Sequence, residues 1–315
     1  LNRLAIISNP KSHRNLHGPA TLRDVAAYAH LAGFAEPETQ TDLLAVLTRF
    51  KQQDVNVIAI NGGDGTVRDV LTGLWRVDPE WRPALTIIPG GKTNLAAYDV
   101  GSARHGPAGL QQVLDAARKG ELDRKRVHRP ILEISRKDCP GAPICGLFFG
   151  AGAFSAGTEL AQTEANALGL YHGLAVAWTI ASMLVRNIRG PAGDSTPMVL
   201  TADGGKICEG EQFIMLATSL QRIILGLNPF WGPQGGAVRY TAINGPPKSL
   251  AAALLPVLRG RPRPWMEAAG YRSGSADRLT LRLTSRFTVD GELFDPGPSG
   301  LIELSARRTV DFVHP

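Results

Sequence analysis

The stretch VIAINGGDGTVRD, Val57–Asp69, constrains the fold of this chain more than any other. Val57 to Ile60 form a continuous apolar run, as in a strand covered on both faces. Asn61 follows, then three glycines, one aspartate and one threonine, and the residues from Val67 onward take helical spacing. A strand that leaves through a glycine loop into a helix presents backbone N–H groups to an anion. Gly62, Gly63 and Gly65 let that backbone approach a phosphate with no Cβ in the way. Thr66 can cap the helix or bond a phosphate oxygen. Asp64 is the odd member. Polyphosphate repels it unless a cation intervenes, or unless it takes a proton from an attacking hydroxyl. A plain Asp-Gly turn is the competing account. The dinucleotide-binding fingerprint would require glycine at Arg68 and does not fit.

Three further segments lie at strand ends or turns. IIPGGKTN, Ile87–Asn94, imitates a Walker A loop, but Thr86 stands where that motif needs glycine. It is still a strand–loop–helix unit with a cation, Lys92. SNPKSHRN, Ser8–Asn15, is polar and basic and follows the first strand. TVDGELFD, Thr288–Asp295, carries Asp290 and Glu292 on either side of a glycine, which on its own reads as a turn with exposed acids.

Strand-like and helix-like runs alternate through the first part: LAIIS, a helix over Thr21–Gly33, a helix over Asp42–Phe50, VNVIAI, VRDVLTGLW, ALTIIP and a helix over Gly109–Gly120. This order predicts a doubly wound, Rossmann-like parallel sheet. Two glycine loops at strand ends would then line one crevice. After Arg129 short β-type runs dominate, with an Asp203-Gly204 hairpin signal and alternating Leu279, Leu281 and Leu283. The second domain is expected to be an antiparallel, β-sandwich-like structure.

The net charge is +6 and the pI about 9.4, which favours acidic partners. DRKRVHR, Asp123–Arg129, and RGRPRP, Arg259–Pro264, concentrate the positive charge. No aromatic residues interleave with them as a single-strand binder needs, so nucleic acid is not an expected partner. An anionic bilayer face is. Cys139, Cys145 and Cys208 form no CxxC pair and read as free thiols without a zinc site. The apolar run Leu168–Val185 contains His172 and two glycines, and is expected to be a buried or membrane-facing helix rather than a span. No charged leader precedes the first strand, so no signal peptide is expected.

Taken in order, these four segments resemble the diacylglycerol-kinase-like lipid kinases, a family that includes sphingosine and ceramide kinases and is distantly related to NAD kinases. Gly62-Gly63-Asp64-Gly65-Thr66 is the most specific element. Asn9-Pro10 with Ser12, Pro89-Gly90-Gly91 with Asn94, and Val289-Asp290-Gly291-Glu292 support it. The resemblance implies an ATP-binding α/β domain over residues 1–127, to which residues 304–315 return, and a β-rich lipid-binding domain over 128–303. It implies ATP and Mg²⁺ as cofactors. Asn9, Pro10, Lys11, Ser12 and His13 would border the nucleotide, with Thr39 (or Thr41) at a family threonine. Gly62, Gly63, Gly65, Thr66, Arg68 and Asp69 would hold the phosphates, joined by Gly91, Lys92 and Thr93. Asp64 and Glu292 are the two candidates for the catalytic base. Asp290 is the third catalytic acid, and Asp64 and Asp290 are the candidate metal ligands.

The chain also departs from the family. Arg68-Asp69 stands for the usual Asn-Glu, and Lys92-Thr93 for the usual Thr-Ala. WGPQGGAVRYTAI carries no carboxylate where bacterial members often hold a structural metal, so that site is expected to be absent. The implied activity is transfer of the ATP γ-phosphate to the primary hydroxyl of a lipid alcohol, either diacylglycerol or a ceramide or sphingoid type. The implied setting is cytoplasmic, peripheral at the inner membrane face, with a homodimer left open. GLFFGAGAF, the Leu168–Val185 helix and IILGLNPFW could line an acyl channel, with NPFW, Asn228–Trp231, as a membrane-contacting tip. A non-catalytic nucleotide- or lipid-binding relative and a soluble-substrate kinase of the NAD-kinase type are the alternatives.

Overall fold

The computed structural model describes residues 3–16, 31–158, 195–223 and 226–315. It divides into two units: Leu1–Pro130 with Thr309–Pro315, and Ile131–Arg308. The chain crosses between them at 130/131 and 308/309, later in each case than the boundaries expected from sequence.

Among the described residues, unit 1 holds a six-stranded sheet with β1 (Leu4–Ser8), β2 (Gly33–Ala35), β3 (Val57–Gly62), β4 (Ala84–Pro89), β5 (Arg126–Pro130) and β17 (Thr309–Val313), in the order β2-β1-β3-β4-β17-β5. Every neighbouring pair is parallel except β17 with β5. β1, β3 and β4 are buried along their whole length, as their unbroken apolar runs require. Leu4, Ile6, Val57, Ala59 and Ile88 pack on Leu110, Val113 and Leu114 of α5 (Gly106–Arg118). The alternating residues Ile58, Ile60 and Leu85 face the other side, also fully buried. There α2 (Gln40–Gln52) and α3 (Asp64–Val77) lie side by side, and α3 touches β3. Each such aliphatic side chain contributes roughly 1.5–3 kcal/mol.

The strand order places a topological switch between β1, whose next strand lies on one side, and β3, which lies on the other. In doubly wound sheets ligands bind outside the carboxyl ends of the strands at that switch. The register brings three strand ends level, with Ser8 opposite Asn61 and Gly62 opposite Pro89. The short helices α1 (His13–Leu16) and α4 (Leu95–Val100) follow the loops that leave β1 and β4.

Among the described residues, unit 2 holds a large antiparallel sheet whose eleven strands belong to one hydrogen-bonded network. They are β6 (Leu132–Arg136), β7 (Cys139–Gly146), β8 (Phe148–Gly152), β9 (Thr196–Ala202), β10 (Gly205–Thr218), β11 (Val238–Asn244), β12 (Tyr271–Ala276), β13 (Arg278–Leu283), β14 (Phe287–Val289), β15 (Glu292–Phe294) and β16 (Leu301–Ser305). Asp203 and Gly204 turn the β9–β10 hairpin, both with positive φ. Leu279, Leu281 and Leu283 enter the core together, as their alternation predicts. The GLFFGAGAF segment is core as well, with Leu147, Phe149 and Ala151 buried. Two helices, α6 (Leu250–Leu258) and α7 (Pro264–Ala268), join β11 to β12.

One sequence expectation is corrected by this fold. Asn228–Trp231 is no exposed tip: Phe230 is buried, with the Arg239 guanidinium 4.9 Å over its ring. In the basic cluster Asp123–Arg129, Arg124, Lys125, Arg126 and His128 are exposed, and part of the charge is paired. Arg129 is buried against Asp99, and Arg126 and His128 both contact Asp311 of β17. The expected helices over Thr21–Gly33 and Leu168–Val185 fall, the first almost wholly, outside the described residues. Among the described residues no helix is long and apolar enough to cross a membrane.

Candidate active site

The site in unit 1 is built by two glycine loops pressed against each other. The Gly90 N–H donates to the Gly62 carbonyl at 2.8 Å. A Cβ on Gly63 would lie 2.9 Å from the Gly91 Cα, and one on Gly91 would lie 2.5 Å from the Gly63 Cα. These glycines are therefore needed for loop-on-loop packing, in addition to any ligand approach. Gly62 is closed off from the other side, since a Cβ there would meet the Thr66 side chain at 2.4 Å. Gly65 differs: its Cβ would find its nearest neighbour, the Arg68 guanidinium, at 3.9 Å, an ordinary contact.

The loop after β1 joins them. The Asn9 N–H donates to the Asn61 carbonyl, and Asn9 Nδ2 donates to Thr66 Oγ1 at 3.0 Å. The Thr66 hydroxyl thus accepts from Asn9 and keeps its own proton for another acceptor. Asn9 Oδ1 receives the Lys11 N–H, the Asn9 carbonyl receives the Ser12 N–H, and the Arg14 N–H donates to the Gly90 carbonyl. Asn9 to His13 are thereby drawn to the two glycine loops.

Asp64 is the first residue of α3, with Gly63 as N-cap. Its carboxylate reaches out of its own helix and accepts the Ala96 N–H at 3.0 Å, with the neighbouring backbone N–H groups of Leu95 and Asn94 also favouring its charged form. It caps α4, whose own N-cap Asn94 makes no such bond because its amide folds back onto Gly91 instead. Burial pushes the Asp64 carboxyl above its usual range, against the pull of these donors. The side chain thus ties the second glycine loop to the first.

Lys92 is exposed on the second loop and Thr93 is half-buried. Arg68 is buried and pairs with the neighbouring Asp69, its Nη2 lying 2.7 Å from Oδ1. Thr39 stands apart from these loop contacts. It is the N-cap of α2, with its hydroxyl 2.8 Å from Asp42 Oδ2 and its oxygen accepting the Asp42 N–H. That bond holds the Asp42 carboxyl below the usual range.

Asn61 was not singled out by the sequence motifs. It is 1 % exposed, its Nδ2 donates to Ser8 Oγ at 3.2 Å, and its Oδ1 is buried without a partner among the described residues. A buried acceptor at the strand end, beside the glycine loop, marks it as site-facing. The one signal in the sequence is a polar residue closing an apolar strand.

Asp290 and Glu292 belong to unit 2. Asp290 and Gly291 make the two-residue β14–β15 turn with φ of 47° and 83°. The Asp290 carboxylate accepts the Leu147 N–H at 3.0 Å and the Phe148 N–H at 2.9 Å, and the Asp290 N–H donates to the Phe148 carbonyl. Glu292 is exposed at the start of β15. The candidate metal ligands Asp64 and Asp290 are both engaged by backbone N–H groups, and among the described residues no three His, Cys, Asp or Glu side chains gather. The side chains present do not form a protein-built metal cage.

The arrangement in unit 1 offers the first-turn amides of a 14-residue helix, a hydroxyl proton and an exposed lysine around one strand-end crevice. Helix-first-turn amides of this kind suit an anionic group such as a phosphate. Residues 3–127 match the diacylglycerol kinase catalytic domain. A diacylglycerol kinase from Staphylococcus saprophyticus subsp. saprophyticus is 33% identical over 126 residues, 39% of this chain and 39% of that protein. The match therefore spans well under half of the curated relative. Two solved structures from Bacillus anthracis str. Sterne share the fold over 100% of this chain and 97% of theirs. One is a diacylglycerol kinase with TM-score 0.59 and 16% identity; the other, provisionally given that name, has 0.63 and 17%. Over residues 3–127, well under half of its length, this chain is similar to the diacylglycerol kinase catalytic domain.

Proposed function

We propose that the chain is an ATP-dependent lipid kinase, transferring the γ-phosphate to the primary hydroxyl of a membrane lipid alcohol of the diacylglycerol or the ceramide and sphingoid type. One observation carries the reading: the two packed glycine loops at the head of α3, in the segment that matches the kinase catalytic domain. Phosphoryl transfer asks the protein for positioning and charge neutralisation rather than covalent chemistry. The amides of Gly63 to Thr66 and the Thr66 hydroxyl would take the phosphates, and Lys92 adds a cation. A lipid oxygen forms the new bond to phosphorus, the bond to the ADP oxygen breaks, and the hydroxyl proton passes to a carboxylate. Asp64 and Glu292 remain the two candidates for that carboxylate. Magnesium would arrive with the triphosphate, which supplies oxygen ligands that these side chains do not. The name of the Staphylococcus relative makes diacylglycerol the first lipid to test.

The test is purified chain with labelled ATP and vesicles carrying diacylglycerol, ceramide or sphingosine, the products being read by mass. A phosphorylated lipid is expected, and Asp64→Asn should lower turnover by orders of magnitude with an unchanged circular-dichroism spectrum. ATP bound but no lipid phosphorylated across the panel would replace this reading with the non-catalytic one.

A further inference from the structure

Unit 2 carries a surface helix with no polar residue. α6 reads LAAALLPVL. Leu250, Ala253 and Val257 turn one stripe onto a small core of Phe213, Ile243, Met266 and Tyr271. The opposite arc presents Ala251, Ala252 and Leu255, all exposed, Leu255 at 54 %. A helix face turned to water is ordinarily polar, and an all-apolar helix is ordinarily buried; α6 is neither.

The segment after α6 is equally unusual. The helix closes with paired backbone bonds, Gly260 N–H to the Val257 carbonyl and Arg261 N–H to the Pro256 carbonyl, with Gly260 at φ 60°. A Cβ on Gly260 would lie 2.5 Å from the Asn228 carbonyl oxygen, so this turn is seated firmly on the body of unit 2. Beyond it Arg259, Arg261 and Arg263 alternate along a segment stiffened by Pro262 and Pro264, and all three are exposed. Lys248 is exposed just before α6. None of these four cations makes an ion pair with a described residue. Between residues 246 and 270 the sequence holds one carboxylate, Glu267. Trp265 opens α7 and is 37 % exposed; its inner edge packs at 83° on Tyr271, whose hydroxyl donates to the Lys248 carbonyl.

We propose that the α6–α7 corner is a docking surface for an anionic lipid bilayer. The Ala251–Leu255 arc and Trp265 enter the boundary between headgroups and acyl chains, and the four cations meet lipid phosphates. Charge selects this occupant. A second copy of the same face would bring four cations against four cations. A nucleic acid would leave the alanine and leucine arc without a partner. Docking needs neither nucleotide nor the glycine loops, so it stands independently of the kinase reading.

The test is sedimentation of the full chain, without ATP, with phosphatidylcholine vesicles that contain or lack phosphatidylglycerol. Binding is expected to the anionic vesicles and to fall steeply with salt. The variant R259Q/R261Q/R263Q should partition on the order of a hundredfold less, about fivefold per arginine. Leu255→Glu should also weaken binding, and its circular dichroism should match the parent because the site is exposed. Should that variant misfold, the arginine triple variant decides alone. Equal sedimentation of the arginine variant and the parent would overturn the proposal, as would equal binding to neutral vesicles. A dimer in vesicle-free light scattering that Leu255→Glu dissociates would overturn it in favour of self-association.

Discussion

Glycines in the same pair of loops should respond to alanine with opposite signs. At Gly91 the new Cβ would stand 2.5 Å from the Gly63 Cα and 3.1 Å from Asn94 Oδ1. Carbon atoms rest at about 3.5–4.0 Å, so one loop must retreat by about an ångström. No flexible side chain can absorb that displacement, because the facing atom is backbone. Overpacking of this kind costs about 1–3 kcal/mol. At Gly65 the Cβ meets nothing nearer than 3.9 Å and sits in the first turn of α3. Alanine there gains up to about 0.5–1 kcal/mol by restricting the unfolded chain. The two variants should therefore differ by about 1.5–4 kcal/mol. Urea melts of each against the parent chain read this directly through the midpoint at constant slope. A calorimetric titration with a non-hydrolysable ATP analogue adds the functional half. Gly65→Ala should lose nucleotide affinity while keeping or raising stability, since its methyl group meets no protein atom nearer than 3.9 Å and sits in the helix turn proposed to hold the phosphates. If Gly91→Ala melts at the parent's midpoint, the loops are not in the contact described and the site must be rebuilt on other atoms.

Asp99→Ala should destabilise unit 1 by about 3–5 kcal/mol in the same melts, because it strands Arg129, whose side chain is 7% exposed. The apolar pair Asp99→Leu with Arg129→Met should recover most of that loss. Cys208 is buried, and its thiol is pushed from 9.0 up to about 11, so a thiol reagent at neutral pH should modify exposed Cys139 in the folded chain and Cys208 only after unfolding. The raised value also fixes a sign: the stability linked to Cys208 is whole below pH 9.0 and is lost as pH climbs towards about 11, a decline that Cys208→Ala should lack. Asp290→Ala should cost about 1–3 kcal/mol by releasing the Leu147 and Phe148 N–H groups. Asp290→Asn, which keeps one acceptor and tolerates positive φ, should cost less.

The parallel strands and the loops at their ends were legible because each signal is local. Val57–Ile60 is apolar without a break, and the glycines come within the next few residues. Contacts between distant segments were not legible. DRKRVHR looks like a basic patch in isolation, and only the sheet reveals that Asp311, far along the chain, takes Arg126 and His128, while Asp99 takes Arg129. NPFW looks exposed by composition, yet Arg239 covers Phe230 from a strand later in the chain. The glycine motif drew attention to phosphate, and the approach of Gly63 to Gly91 stayed hidden because nothing in one loop's sequence names its neighbour. RGRPRP was visible as charge. Its place after an exposed apolar helix was not, because LAAALLPVL reads as ordinary core until burial is measured.

β17 lies between β4 and β5, so the sheet beneath the glycine loops draws one of its strands from the last few residues of the sequence. During synthesis the first 130 residues emerge long before that strand exists, and β4 must wait with a bare edge while the whole of unit 2 is made. The half-built sheet is open to strand capture and aggregation throughout that interval. The first sheet is therefore completed only after the second unit has been made.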